Sequence, residues 1–141
     1  MEYKNKQASF NYFIDDVITA GIMLKGSEVK SIKSGAINFL QSYCAISEGE
    51  LWLNGLHISD YAWASSAKHE NLRQRKLLVK KRELKKIQKK VKEKGMTIVP
   101  LRLFKNEKGL IKIEIGLATG KKLHDKRNAI KEKDLKNLPS F

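Results

Sequence analysis

A chain of 141 residues with 41% hydrophobic content can bury one modest core, which argues against a multi-domain enzyme. Lysine and arginine number 29 against 15 acidic residues, a formal charge of +14, and such an excess points to a polyanionic partner, nucleic acid before an anionic membrane. No apolar run approaches the roughly 18 residues of a membrane span, and Met1-Glu2-Tyr3-Lys4 starts no apolar leader, so the expected compartment is the cytoplasm.

Short runs of β-branched and aromatic residues, closed by glycine or polar turns, predict strands. The first are Phe10–Ile14 and Val17–Leu24. Ser27 is then placed as the cap of a short helix in which Val29 and Ile32 fall three apart and which Gly35 ends. Ala36–Ser47 and Glu50–Ile58 follow as strands joined at Glu48-Gly49. Cys44, in the alternation Tyr43-Cys44-Ala45-Ile46, reads as a buried, inert thiol, and a single cysteine excludes an internal disulfide or a cysteine-rich zinc site. Trp52 alternates with Leu51 and Leu53 and is assigned to the core. Trp63, in Asp60-Tyr61-Ala62-Trp63-Ala64, stays open between packing and base stacking.

Residues 1–67 carry 5 basic and 7 acidic side chains, net −2, whereas residues 68–94 carry 13 and 3, net +10. Within that segment Arg73, Arg75 and Lys76 adjoin the strand-like Leu77-Leu78-Val79. A longer helix is predicted from about Lys80 to Lys94, with Leu84, Ile87 and Val91 as a narrow apolar stripe and Gly95 as the stop. Strands Thr97–Phe104 and Leu110–Ala118 close the pattern, joined by the turn Asn106-Glu107-Lys108-Gly109. In the last strand Ile111, Ile113, Ile115 and Leu117 alternate with Lys112, Glu114 and Gly116, which predicts one core face and one exposed face.

About six antiparallel strands with two inserted helices suggest a mainly β fold, a small closed antiparallel barrel over residues 1–118; an open α+β sheet is the alternative. Residues 119–141 hold 7 basic and 3 acidic side chains without a sustained apolar face, and are expected to be a basic tail that is disordered when free.

The dense cations of residues 68–94 suit several phosphates at once, with counterion release as the driving force. His57, His69 and His124 lack ligand spacing to one another or to the cysteine, so no metal is expected. No nucleophile-elbow, phosphate-loop or dinucleotide-binding glycine pattern occurs. The residues therefore favour a binding protein without a cofactor. A generic single-strand-binding barrel and, less well supported, a small RNA-processing enzyme stand as alternatives.

Four strings in order, Ala20-Gly21-Ile22 with Gly26-Ser27-Glu28-Val29-Lys30-Ser31, then Arg75-Lys76-Leu77-Leu78, then Thr97-Ile98-Val99-Pro100-Leu101, then Gly120-Lys121-Lys122-Leu123-His124-Asp125-Lys126-Arg127, resemble small protein B, the SsrA-binding protein family of bacteria. The resemblance runs from about Asn5 to Asp134. It implies a barrel of the oligonucleotide-binding type and a non-catalytic role in trans-translation. In that role the protein binds the tRNA-like domain of transfer-messenger RNA and brings it to a stalled ribosome, near the decoding centre and the inter-subunit face. Elongation factor Tu and alanyl-tRNA synthetase are implied to act on the same RNA; no membrane partner is.

Carried over residue by residue, RNA contacts fall on Asn5, Glu28, Leu78 and Lys112, to which the basic segment adds Arg73, Arg75 and Lys76. Decoding-site contacts fall on Lys121, Lys122, His124, Asp125, Lys126 and Arg127. The chain departs from the family pattern at Thr19, where an acidic residue is usual, at Glu114, where a basic one is frequent, and at Thr119, which replaces a common basic residue.

Overall fold

The computed structural model describes residues 1–59 and 71–120. Trp63, His69 and the tail positions Lys121, Lys122, His124, Asp125, Lys126 and Arg127 lie outside the described residues. The elements are β1 Glu2–Lys4, α1 Lys6–Asn11, β2 Tyr12–Ile22, α2 Gly26–Lys33, β3 Ile37–Asn38, β4 Tyr43–Ser47, β5 Glu50–Asn54, β6 His57–Ile58, β7 Arg75–Leu78, α3 Lys81–Lys94, β8 Thr97–Lys105 and β9 Ile111–Gly120.

Strand β8 pairs with β4, β4 with β5, β5 with β7, β7 with β2, β2 with β9, and β9 again with β8, so six antiparallel strands form a ring. Strand β1 adds to β8 beside Arg102–Phe104, beyond the single rung Cys44–Ile98 that ties β4 to the same strand. Helix α2 follows the last residue of β2, and α3 joins the end of β7 to the start of β8. Each sends a fully buried isoleucine, Ile32 and Ile87, into the one core that the inward residues of the ring share. Full burial of such a side chain contributes about 1.5–3 kcal/mol, which is enough to hold a helix otherwise as lysine-rich as α3.

Several boundaries differ from the sequence expectation, each for a local reason. Phe10 belongs to α1, and the two expected strands at 10–24 are one, interrupted by a bulge between Ile14 and Asp16. Lys25, not Ser27, precedes the first turn of α2; Ser27 is buried inside the helix. The stretch 36–47 breaks where Leu40 adopts φ +51°, and 50–58 breaks at Gly55, φ +82°. A Cβ on Gly55 would lie 3.3 Å from Ser42 Cα, so the two breaks pack against each other.

Trp52 corrects the core assignment: Leu51 and Leu53 are buried and Trp52, one residue out of phase, is half-buried on the outside. Along β9, Ile113, Ile115 and Leu117 point inward, while Ile111, Lys112 and Glu114 are half-buried. Gly116 and Ala118 are on the outward face and yet buried: Ala118 joins Ala8 of α1 and Val99 in a small second core, and Gly116 lies under Ile14 and Leu101, each of which a Cβ there would meet at 3.1 Å. Cys44 is buried, and that burial pushes its thiol well above its ordinary value.

Candidate RNA-binding surface

The strand register brings two of the expected contacts into one row. Leu78 of β7 is opposite Gly21 of β2, and Gly21 is opposite Lys112 of β9; directly paired residues share a face of the sheet. Lys112 is in turn opposite Phe104 of β8. Leu78 is 50% exposed, an apolar side chain held in solvent beside a cation. A Cβ on Gly21 would lie 3.3 Å from the Leu78 Cβ, so the glycine leaves room for Leu78 to lie across the strand. Sequence reasoning passed over Gly21 as a site residue; the signal was a glycine inside an otherwise β-forming run, which often marks close approach.

One rung along, Thr19 is opposite Glu114, and Glu114 opposite Arg102. Arg102 bridges two carboxylates, Glu114 at 2.8 Å and Glu2 at 2.9 Å, and stacks over Phe104 with its guanidinium carbon 4.1 Å from the ring centre. The Arg102 hydrogen bond holds the Glu114 carboxyl below its ordinary value. Two departures from the family pattern thus meet in one rung, where the acid on β9 takes its counterion from β8.

At the adjoining end of β7 is a buried cluster. Glu28, in the first turn of α2, accepts hydrogen bonds from the Lys25 backbone N–H at 2.8 Å and from Arg73 Nη2 at 2.6 Å through Oε1. Its Oε2 accepts from Arg73 Nε at 3.1 Å and Arg75 Nε at 2.7 Å. Arg75 donates further to the carbonyls of Leu56 at 2.7 Å and Asn71 at 3.1 Å. Burial pushes the Glu28 carboxyl up, but the Arg73 hydrogen bond, the Lys25 N–H and the Arg75 charge outweigh it, and the group sits below its ordinary value. Burial depresses Arg75 in turn, against the attraction of Glu28. A guanidinium begins so far above neutrality that it stays charged.

Glu28 and Arg75 are both 0% exposed. In this conformation their side chains present no surface to a ligand, and the member that reaches solvent is Arg73, 22% exposed. Of the other expected contacts, Lys76 is on the outer face of β7 and ion-paired with Glu50. It is opposite Trp52, which makes that indole a surface group sequence reasoning missed. Asn5 is off the Leu78–Lys112 row. It is half-buried ahead of α1, with its amide donating to the Pro100 carbonyl at 2.9 Å and its N–H to the Leu101 carbonyl at 2.8 Å. Among the described residues no group of three His, Cys, Asp or Glu could hold a metal ion, and no helix is long and apolar enough to cross a membrane.

Residues 2–138 match the family model described as SmpB protein. An SsrA-binding protein of Bacteroides thetaiotaomicron is 50% identical over 131 residues, 93% of this chain and 87% of that protein. One of Borreliella burgdorferi is 47% identical over 133 residues, 94% of this chain and 88% of that protein. Among solved structures, a chain of one described as "tmRNA-SmpB: a journey to the center of the bacterial ribosome" superimposes with a TM-score of 0.71 at 42% identity, over 85% of this chain and 84% of that one. Matches of this extent leave one conclusion: the chain belongs to the SmpB protein family.

Proposed function

We propose that this chain is a cytoplasmic RNA-binding adaptor of trans-translation, without catalytic activity. It captures the tRNA-like domain of transfer-messenger RNA and delivers it to stalled bacterial ribosomes. The observation that carries the reading is the row Leu78–Gly21–Lys112, an exposed apolar side chain and a cation on one sheet face, in a chain whose relatives are named SsrA-binding proteins. Structured RNA is recognised chiefly by shape, backbone and unstacked bases, and a rigid face with one apolar and one cationic contact suits that mode.

In this reading the six-stranded ring is a barrel of the oligonucleotide-binding type, residues 1–118 are the RNA-binding domain and residues 119–141 its basic tail. Leu78, Lys112, Lys76, Asn5 and Arg73 form the contact surface. Glu28 and Arg75 act by holding Arg73 in place. Lys121, Lys122, His124, Asp125, Lys126 and Arg127 serve the decoding site, and elongation factor Tu and alanyl-tRNA synthetase act on the captured RNA.

The test is the dissociation constant for a transcribed tRNA-like domain against an unrelated single strand of equal length. The adaptor prefers the former at least about tenfold, or ~1.4 kcal/mol, and Leu78→Ala and Lys112→Ala each erode that preference. Equal affinity for both RNAs would replace this reading with a generic single-strand-binding barrel.

A further inference from the structure

Trp52 is half-buried on the outer face of β5, yet it belongs to neither hydrophobic core. Its direct cross-strand neighbours are Ala45 of β4 on one side and Lys76 of β7 on the other, and side chains paired in this way share a face with their Cβ atoms about 5 Å apart. Ala45 is too small to cover an indole. Lys76 is ion-paired with Glu50, two residues before Trp52 on the same face of β5, which draws its ammonium along the sheet. Among the described residues no cation or second ring stacks on Trp52, and its indole N–H donates no hydrogen bond. Phe104, by contrast, has its ring covered by the Arg102 guanidinium at 4.1 Å.

The open indole adjoins the Leu78–Gly21–Lys112 row. The β2–β7 ladder continues past Ile22–Leu77 to one more rung, where the Met23 N–H donates to the Lys76 carbonyl at 3.0 Å. Trp52, Lys76 and Met23 thus form a second row, two residues along from the first and on the same face of the sheet. Leu78 is the diagonal neighbour of Trp52, about 7–8 Å away, which is within reach of an aromatic side chain. Met23 is 52% exposed, and its carbonyl accepts a hydrogen bond from Arg73 Nη2 at 3.3 Å. Three outward apolar side chains, Trp52, Leu78 and Met23, therefore surround Lys76, with Arg73 beyond Met23 and Lys112 beyond Gly21.

We propose that Trp52 is a stacking platform on which this face takes one unpaired base of the tRNA-like RNA, with Leu78 at the edge of that base and the lysines of the two rows on the flanking phosphates. The inference rests on the adaptor reading and adds to it the part of the RNA that the face selects. A paired stem offers phosphates and sugars but no open base face, whereas a loop offers all three. Cations hold either kind of RNA; an indole favours only the loop, because every unstacked base has a π-face to lay on it. Stacking releases no counterion, so its contribution leaves the salt dependence of binding unchanged.

The experiment uses the full chain with Trp52→Phe, Trp52→Leu and, for comparison, Lys112→Gln. Leucine keeps apolar bulk without a π-face and phenylalanine keeps both; circular dichroism and the urea midpoint check that each variant is folded. Dissociation constants for the transcribed tRNA-like domain and for a fully paired RNA duplex of equal length are measured over a salt series. Trp52→Leu weakens capture of the tRNA-like RNA about tenfold with the parental log–log salt slope, and Trp52→Phe stays within about threefold of the parent. Both bind the duplex within about twofold of the parent. Lys112→Gln lowers the slope by about 1. The chain has two tryptophans, so the RNA-induced quenching of tryptophan fluorescence in the parent is largely absent from Trp52→Phe, where Trp63 alone remains.

Equal affinity of Trp52→Leu and Trp52→Phe for the tRNA-like RNA would reduce the indole to packing and overturn the proposal. So would a lower salt slope in Trp52→Leu, which would place the loss at a displaced Lys76, an equal loss for the duplex, or undiminished quenching in Trp52→Phe. If Trp52→Leu does not fold, the difference in quenching between the parent and Trp52→Phe decides alone. Failure of the adaptor reading is read separately, from a parent protein that does not prefer the tRNA-like RNA to an unrelated single strand.

Discussion

Arg75 and Lys89 stand fourteen residues apart in one basic segment, yet the first is sealed inside the fold and the second is in open solvent. Around Arg75 every charge has a partner of fixed geometry, because a buried guanidinium without a carboxylate is among the most costly defects a fold can carry. Around Lys89 the helix needs only its apolar stripe, and its outer side is free to collect lysines at almost no cost in stability. Counting cations in the sequence weights the two regions equally. Their pairing separates them into a region whose charge sets conformation and a region whose charge is available to a partner.

The largest effect expected from this contrast is on folding. Glu28→Ala leaves Arg75 buried without its counterion and should destabilise the protein by about 3–5 kcal/mol in urea denaturation. A loss under about 1 kcal/mol would mean that the cluster relaxes to solvent, and the contrast would fail.

Acid sharpens the same point. The Glu28 carboxyl sits below its ordinary value of 4.5 in the folded state, so between those two values the unfolded chain binds the extra proton. The stability this group contributes is complete above about pH 5 and is lost as pH falls through its lowered folded value. Urea midpoints measured from pH 6 down to 3 should decline in the parent and decline less steeply in Glu28→Gln.

A smaller effect belongs to the surface row. Gly21→Ala puts a methyl group against Leu78 and should weaken capture of the tRNA-like RNA roughly fivefold, ~1 kcal/mol, while the urea midpoint stays near the parent. Unchanged capture would show that the position of Leu78 over Gly21 is incidental. The smallest effect is at the exposed pair Lys86–Asp16. Lys86→Gln should leave the melting temperature within experimental scatter, as solvent-exposed ion pairs usually do.

What the sequence disclosed follows the range of the physics involved. Helix α3 was legible because Leu84, Ile87, Val91 and Gly95 signal a stripe and a stop within one short window, and the structure ends the helix with Gly95 at φ +64°. The β8–β9 hairpin was legible through its alternation and the Asn106–Gly109 turn, where the Asn106 side chain accepts the N–H groups of Lys108 and Leu110. Strand β1 and helix α1 were missed: three and six residues are too short to show a period, and both are held by contacts with β8 on the far side of the chain.

The side of Trp52 was misassigned since alternation fixes parity but not direction. At the site, the resemblance named Leu78 and Lys112, and the register put them in one row. Local pattern carries no trace of the burial of Glu28, whose partners Arg73 and Arg75 are 45 and 47 residues away.

The central claim is that capture of RNA and engagement of the ribosome use separate parts of one small protein. Its most direct test is a chain ending at Gly120, which keeps every described strand and loses residues 121–141 with their 7 basic and 3 acidic side chains. The same preparation is assayed for affinity to the tRNA-like RNA and for tagging of proteins on stalled ribosomes. The account predicts affinity within a few-fold of the parent, the residual loss reflecting only long-range attraction, and no tagging. Tagging at parental levels, or loss of RNA capture together with tagging, would contradict it.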